Sequence, residues 1–168
     1  GNAEHVLEYL DKGLIDFGLL FTEIDAQKYE AIPVPIKDTW GVLMRRDSPL
    51  AEKETICPED LWDKPLIVSH QKGDDRYLNQ WLQREESELH IVATYNLLFN
   101  ASLLVDEGLG YALCYDKLIN TKGSDLCFRP FSPRLEAHGF IVWKKYQVFS
   151  KAANIFLQYL REMLEAEV

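Results

Sequence analysis

Apolar residues recur along this chain in short blocks, and their spacing switches repeatedly between the helical and the extended period. Val6, Leu7 and Leu10 share one stripe of a helix expected over Ala3–Lys12. Gly13 then supplies a left-handed stop, and Asp16–Phe21 (DFGLLF) reads as a short buried strand. Pro33 and Pro35 keep Ile32–Ile36 extended and remove two donors, which suits an edge or crossing segment. Thr39–Arg46 reads as a strand closed by the turn Asp47-Ser48-Pro49. Cys57–Trp62 reads as a single helical turn, and Pro65–Ser69 as a strand. A helix over Arg76–Glu85 follows, capped by Asp74 or Asp75 and directing Leu78, Trp81 and Leu82 inward. His90–Tyr95 is an expected strand, Leu97–Glu107 a helix capped by Asn96, and Tyr111–Tyr115 a strand. Two more strands fall at Leu126–Phe131 and His138–Lys144. A last helix from Ser150 carries Ala152, Ile155, Phe156, Tyr159, Leu160, Met163 and Leu164 at 3–4 spacing. Such alternation predicts an α/β fold with largely parallel sheets covered on both faces.

Two glycines in LVDEGLGYALCY, Gly108 and Gly110, raise the question of a phosphate loop. A dinucleotide loop runs strand, glycines, helix, so that the helix N-terminus meets the phosphates. Here the helix comes first and a strand follows, and position 113 is leucine. Gly108 is read as a helix stop and Gly110 as a small residue permitting close helix–strand packing. LEYLDKGLIDFGLLF repeats the same helix–glycine–strand order near the start of the chain, which points to two similarly built lobes.

Composition narrows the function. The chain has 168 residues, 47% hydrophobic, enough for one domain or two small lobes. Eighteen basic against 27 acidic residues leave a net charge of −9, which disfavours binding nucleic acid through this chain's surface. No apolar run approaches the roughly 18 residues of a membrane span, so no membrane partner is expected. Cys57, Cys114 and Cys127 read as reduced thiols of a cytoplasmic protein. Scattered histidines argue against a metal site, and no cofactor motif or nucleophile–base pairing is present. Ser69 and His70 are adjacent on a strand and point to opposite faces, so they do not form such a pair. Nothing here requires an enzyme.

Taken in order, several segments resemble the effector-sensing domain of LysR-type transcriptional regulators. Gly13-Leu14-Ile15-Asp16-Phe17-Gly18-Leu19 is similar to that family's G-x-x-D-x-x-I/L signature. Asp47-Ser48-Pro49-Leu50-Ala51 resembles its PLA turn, with Ser48 where histidine is frequent. Pro58-Glu59-Asp60-Leu61 with Pro65-Leu66-Ile67 resembles a third motif. Leu104–Leu113 resembles a fourth, except that Cys114-Tyr115 replaces an expected proline. The resemblance implies two α/β lobes of the type 2 periplasmic-binding-protein kind. Lobe I would comprise 1–38 and 128–168, lobe II 39–127, with Ile32–Ile36 and Phe128–Pro133 as crossovers. It also implies that lobe I is incomplete at its N-terminus, and that DNA binding belongs to an N-terminal helix-turn-helix not present here. A homodimer or tetramer is implied as well. A solute-binding protein of a transporter is the alternative.

In that architecture a ligand lies beyond the carboxyl ends of strands. Reading those ends gives Thr22, Ser69, His70, Gln71, Tyr95, Asn96, Cys114 and Tyr115, with Glu23 beside Thr22 as a solvated residue. Asn96 has the strongest case, because amide groups beyond a helix cap receive anions. A small carboxylate or a neutral polar metabolite each fits as effector.

Overall fold

The computed structural model describes residues 3–22, 24–70 and 75–166. Contacts divide the chain into two compact units, Ala3–Ile36 with His138–Val168, and Lys37–Ala137. The helices are α1 (Ala3–Asp11), α2 (Asp75–Leu82), α3 (Leu98–Asp106) and α4 (Lys151–Ala166). The strands are β1 (Gly18–Leu20), β2 (Tyr29–Arg45), β3 (Leu66–Ser69), β4 (Ile91–Tyr95), β5 (Tyr111–Tyr115), β6 (Leu126–Pro130) and β7 (Glu136–Lys144). β2 is one continuous strand running through both units, where the sequence suggested an extended segment followed by a separate strand. Pro33 and Pro35 do not break it, because two residues apart they remove donors from the same strand edge.

In the first unit β1 pairs antiparallel with β7, Gly18 opposite Val142 and Leu20 opposite Phe140. Leu10 of α1 is fully buried against Leu20, Tyr29 and Val142, with Val6 and Leu7 beside it. The phenol of Tyr29 donates to Asp11 Oδ1 at 2.8 Å, tying the start of β2 to the end of α1. Phe17 stacks on Phe149 at 5.0 Å and meets Phe156 at 4.9 Å, which docks α4. α4 buries Ala153 and Leu157, whereas Ile155, Phe156, Tyr159 and Met163 from its expected stripe are largely exposed.

In the second unit β2 is antiparallel to β5 and to β6, while β3 is parallel to β4 and β5. The expectation of largely parallel sheets is therefore corrected. Parallel pairing needs a long crossover, and only β3–α2–β4 and β4–α3–β5 carry a helix between strands. Those two helices cover opposite faces. Leu78, Trp81 and Leu82 of α2 pack with Val42, Leu66 and Leu113, and Leu98, Ala101 and Val105 of α3 pack with Leu43, Ile67 and Ala112.

The segment 128–133, read as a crossover, is built into the second unit. Phe128 to Pro130 belongs to β6, and Ile56 bridges Phe131. Trp81 stacks on Phe131 at 3.8 Å and its indole N–H donates to the Pro133 carbonyl at 2.6 Å. The chain passes between the units at 36/37 and 137/138.

Both helix–glycine–strand junctions end in the same pair of bonds. Leu14 N–H donates to Tyr9 and Gly13 N–H to Leu10; Leu109 N–H donates to Leu104 and Gly108 N–H to Val105. Gly13 (φ 67°) and Gly108 (φ 78°) stand at the left-handed position this cap requires. The role of Gly110 differs from the expected helix–strand contact. A Cβ there would lie 2.4 Å from the Pro65 carbonyl oxygen, at the approach of β5 to the start of β3.

Two outcomes follow from these contacts. Gly108→Ala meets open space and only a strained φ, so it costs about 1 kcal/mol in urea unfolding. Gly110→Ala must move a backbone carbonyl and costs about 3 kcal/mol or more; equal costs would refute the distinction. Burial, with the bond to Asp11 next, pushes the Tyr29 phenol up to about 12. Below about pH 10 the phenol is neutral folded and unfolded, so its contribution is intact there. Stability then declines between pH 10 and 12, as the unfolded chain ionises first. Tyr29→Phe should lack that part of the alkaline decline, measured by denaturant melts across this range.

Candidate functional site

Strand order in the second unit is β2, β5, β3, β4. From β3 the chain crosses by α2 to β4 on one side, then returns by α3 to β5 on the other. The order reverses between β3 and β5, and an open α/β sheet offers a crevice at the carboxyl ends of such a pair. Here the crevice is prepared by the ladder itself. β3 and β4 stay paired through Ser69 opposite Tyr95, but β3 and β5 pair only at Leu66–Tyr111 and Ile67–Ala112. Beyond those residues the ladder between the two strands is not continued.

Tyr95 spans this gap. It packs on the α3 face, and its hydroxyl donates to the Leu113 carbonyl at 2.8 Å, one residue past the last β3–β5 pair. The His70 N–H donates to the Tyr95 carbonyl at 2.7 Å, so three strand ends are braced by one residue. Tyr115 points to the other face and meets the ring of Trp40 at 4.4 Å. Cys114 is buried with the α3-side core, and burial pushes its thiol up to about 12, which makes it a packing residue rather than a nucleophile.

Asn96 is exposed and immediately follows Tyr95. It is not the helix cap: Leu97 occupies that place in extended conformation and makes no side-chain cap bond, because the chain turns into α3 one residue later than expected. Asn96 therefore stands before the first turn, whose first amides lead toward the strand ends. Ser69 is half-buried and His70 exposed. Thr22, half-buried, follows β1 in the first unit. Gln71 and Glu23 lie outside the described residues, as does Asp74, one of the two residues expected to cap α2. The structure thus groups Ser69, His70, Tyr95, Asn96, Cys114 and Tyr115 in one unit.

The contacts at the end of β5 extend one residue beyond Tyr115. Asp116 N–H donates to the Thr39 carbonyl at 2.9 Å, placing Asp116 and Lys117 beside Asp38. Burial raises the Asp38 carboxyl above its usual range; Lys117 opposes this and Asp116 adds to it. The signal available in sequence was the charged pair Asp116-Lys117 directly after a strand.

The basic pairs are committed elsewhere. Arg45 binds Asp47 through two nitrogens and the Asp106 carbonyl through the third. Arg46 donates to the carbonyls of Ser124 and Thr121, and Lys144 and Lys145 to those of Asp11 and Ala26. Among the described residues, no group of three His, Cys, Asp or Glu side chains could hold a metal ion. None of the described helices is long and apolar enough to cross a membrane.

Comparison with known proteins agrees with this architecture. A family model for the LysR substrate binding domain matches residues 1–165. The uncharacterized HTH-type transcriptional regulator YvbU of Bacillus subtilis (strain 168) is 25% identical over 171 residues, covering 99% of this chain and 56% of that protein. The chain thus spans little more than half the length of the curated relative it matches. The effector binding domain of QuiR in complex with shikimate superposes with a TM-score of 0.80 at 16% identity, over 95% of this chain and 76% of that one. The regulatory domain of Synechocystis PCC6803 CcmR in complex with 2-PG gives 0.75 at 18% identity, over 96% and 79%. At such identities these likenesses establish the fold, the two-lobed type 2 periplasmic-binding-protein-like α/β fold of LysR effector-binding domains. The match of the family model over nearly the whole sequence goes further: this chain belongs to the LysR substrate-binding-domain family, whose members are transcriptional regulators and not enzymes.

Proposed function

We propose that this chain is the ligand-sensing part of a cytoplasmic DNA-binding regulator, and that it recognises a small carboxylate at the carboxyl ends of β3 and β5. The observation that carries the reading is the early end of the β3–β5 ladder, with Tyr95 bracing the opening. The first amides of α3 supply donors for a carboxylate, and Asn96 and His70 supply polar side chains beside them. Tyr115 completes the proposed set. A solved neighbour holds shikimate, itself a small hydroxylated carboxylate. DNA contact belongs to a helix-turn-helix such as the B. subtilis relative's name describes, and the regulator acts as a homodimer or tetramer.

The mechanism is a population shift. An effector that binds one conformation tenfold better than another biases their equilibrium by about 1.4 kcal/mol, and an effector without such preference changes nothing. Within this reading the two units act as the lobes whose closure the effector favours. Family membership favours a regulator over the transporter-receptor alternative.

The test uses thermal melting of this chain with small carboxylates, shikimate first. A ligand at a hundred times its Kd stabilises by about 2.7 kcal/mol, a rise in Tm of about 5–10 °C for a chain of this size. The double variant His70→Ala/Asn96→Ala should weaken binding by about tenfold or more. If none of the carboxylates raises Tm, the ligand class is overturned. Undiminished binding by the double variant would overturn the site.

A further inference from the structure

α2 is only eight residues long, and it lies over the middle of the second unit's sheet. β4 is the last strand on that side and, among the described residues, pairs only with β3. One face of β4 is therefore incompletely roofed, and a slot of about 230 Å³ opens there. Its floor is Val68, Ile91 and Thr94, and register explains why: Val68 stands opposite Thr94, so both point toward α2. Leu78 and Leu82 form the wall, and Leu89 closes the far end. Besides Thr94, the polar residues of the lining are Asn79, Glu86, Ser69 and His70, of which Glu86 and His70 are exposed.

We infer that this slot is a second binding site, adjoining the proposed effector site at Ser69 and His70, and that it takes a small amphipathic amine. An apolar cavity of about 150 Å³ accepts benzene, so this one holds a six-membered ring with a short tail. Five aliphatic side chains would bury the ring. Charge at the mouth selects the tail. Glu86 is a charged residue of the lining, no lysine or arginine is among the described lining residues, and Glu85 and Glu88 lie next to it. Arg84, the adjacent cation, is already engaged, 3.5 Å from Glu88 and 4.4 Å over the ring of Trp62. An ammonium therefore finds the Glu86 carboxylate and the Asn79 amide oxygen. A carboxylate of the same shape would meet like charge there. The two sites differ in the face they use: Val68 of the slot packs on the α2 side of the sheet and Tyr95 on the α3 side, with His70 at the border of both.

The experiment is amide NMR of the 168-residue chain titrated with phenethylamine, and separately with phenylacetate as the anionic counterpart. Phenethylamine should give saturable shifts at residues 68–70, 78–82 and 86–94, and phenylacetate should bind about tenfold more weakly. Glu86→Gln alters an exposed side chain and should bring the two ligands within about threefold of each other. Thr94→Phe fills the slot from its exposed edge and should abolish the shifts, with an unchanged circular dichroism spectrum confirming the fold. Absence of saturable shifts, equal binding of amine and anion, or undiminished binding to Thr94→Phe each overturns the assignment. Shifts confined to Tyr95, Asn96 and Tyr115 overturn it as well, since they would put the amine in the proposed effector site.

Discussion

The close approach of Gly110 to the Pro65 carbonyl governs the second unit. Tyr111 N–H donates to that carbonyl at 2.9 Å, and no side chain at position 110 fits beside it. This pins the starts of β5 and β3 together. The pairing then lasts only two residues, and the carboxyl ends of the two strands share no further ladder. The strand order reverses at this pair, which is where open α/β sheets place a ligand crevice. Tyr95 gives the orphaned Leu113 carbonyl a donor, so that opening does not leave a backbone acceptor unsatisfied. The crevice is a product of backbone geometry first and of side-chain chemistry second.

Much of this was legible in sequence, for identifiable reasons. The stops at Gly13 and Gly108 could be read because only a left-handed glycine suits a helix end of that type. The run β3–α2–β4–α3–β5 was legible because its apolar spacing changes period at each junction. The proline-bearing segments were legible in part. Ile32–Ile36 is extended as read, but it continues without a break into the 17-residue β2, and 128–133, read as a crossover, packs within the second unit against Trp81. Asn96 looked like a cap by residue type, but the turn into α3 falls one residue later, at Leu97. Neither the Tyr95–Leu113 bond nor the slot over β4 leaves any local mark. The first joins residues 18 apart, and the second results from where a short helix happens to end.

The fold also accounts for the fate of its positive charges. A chain with net charge −9 has few cations, and several are used as ties between loops and helix ends. Arg129 follows the same habit, donating to the carbonyls of Ala51, Lys53 and Phe128. This explains why the basic pairs, which in isolation suggest an anion site, do not form one.

Those ties differ physically from ion pairs. Dissolved salt screens attraction between opposite charges over roughly 10 Å at 0.1 M, and exposed pairs such as Lys12–Glu8 weaken accordingly. A guanidinium bound to a neutral carbonyl has no opposing charge to be screened; it is held by short, directional contact. The loops fastened by Arg46 and Arg129 therefore depend less on ionic strength than an exposed ion pair does, and salt also relieves the mutual repulsion of the excess acidic residues.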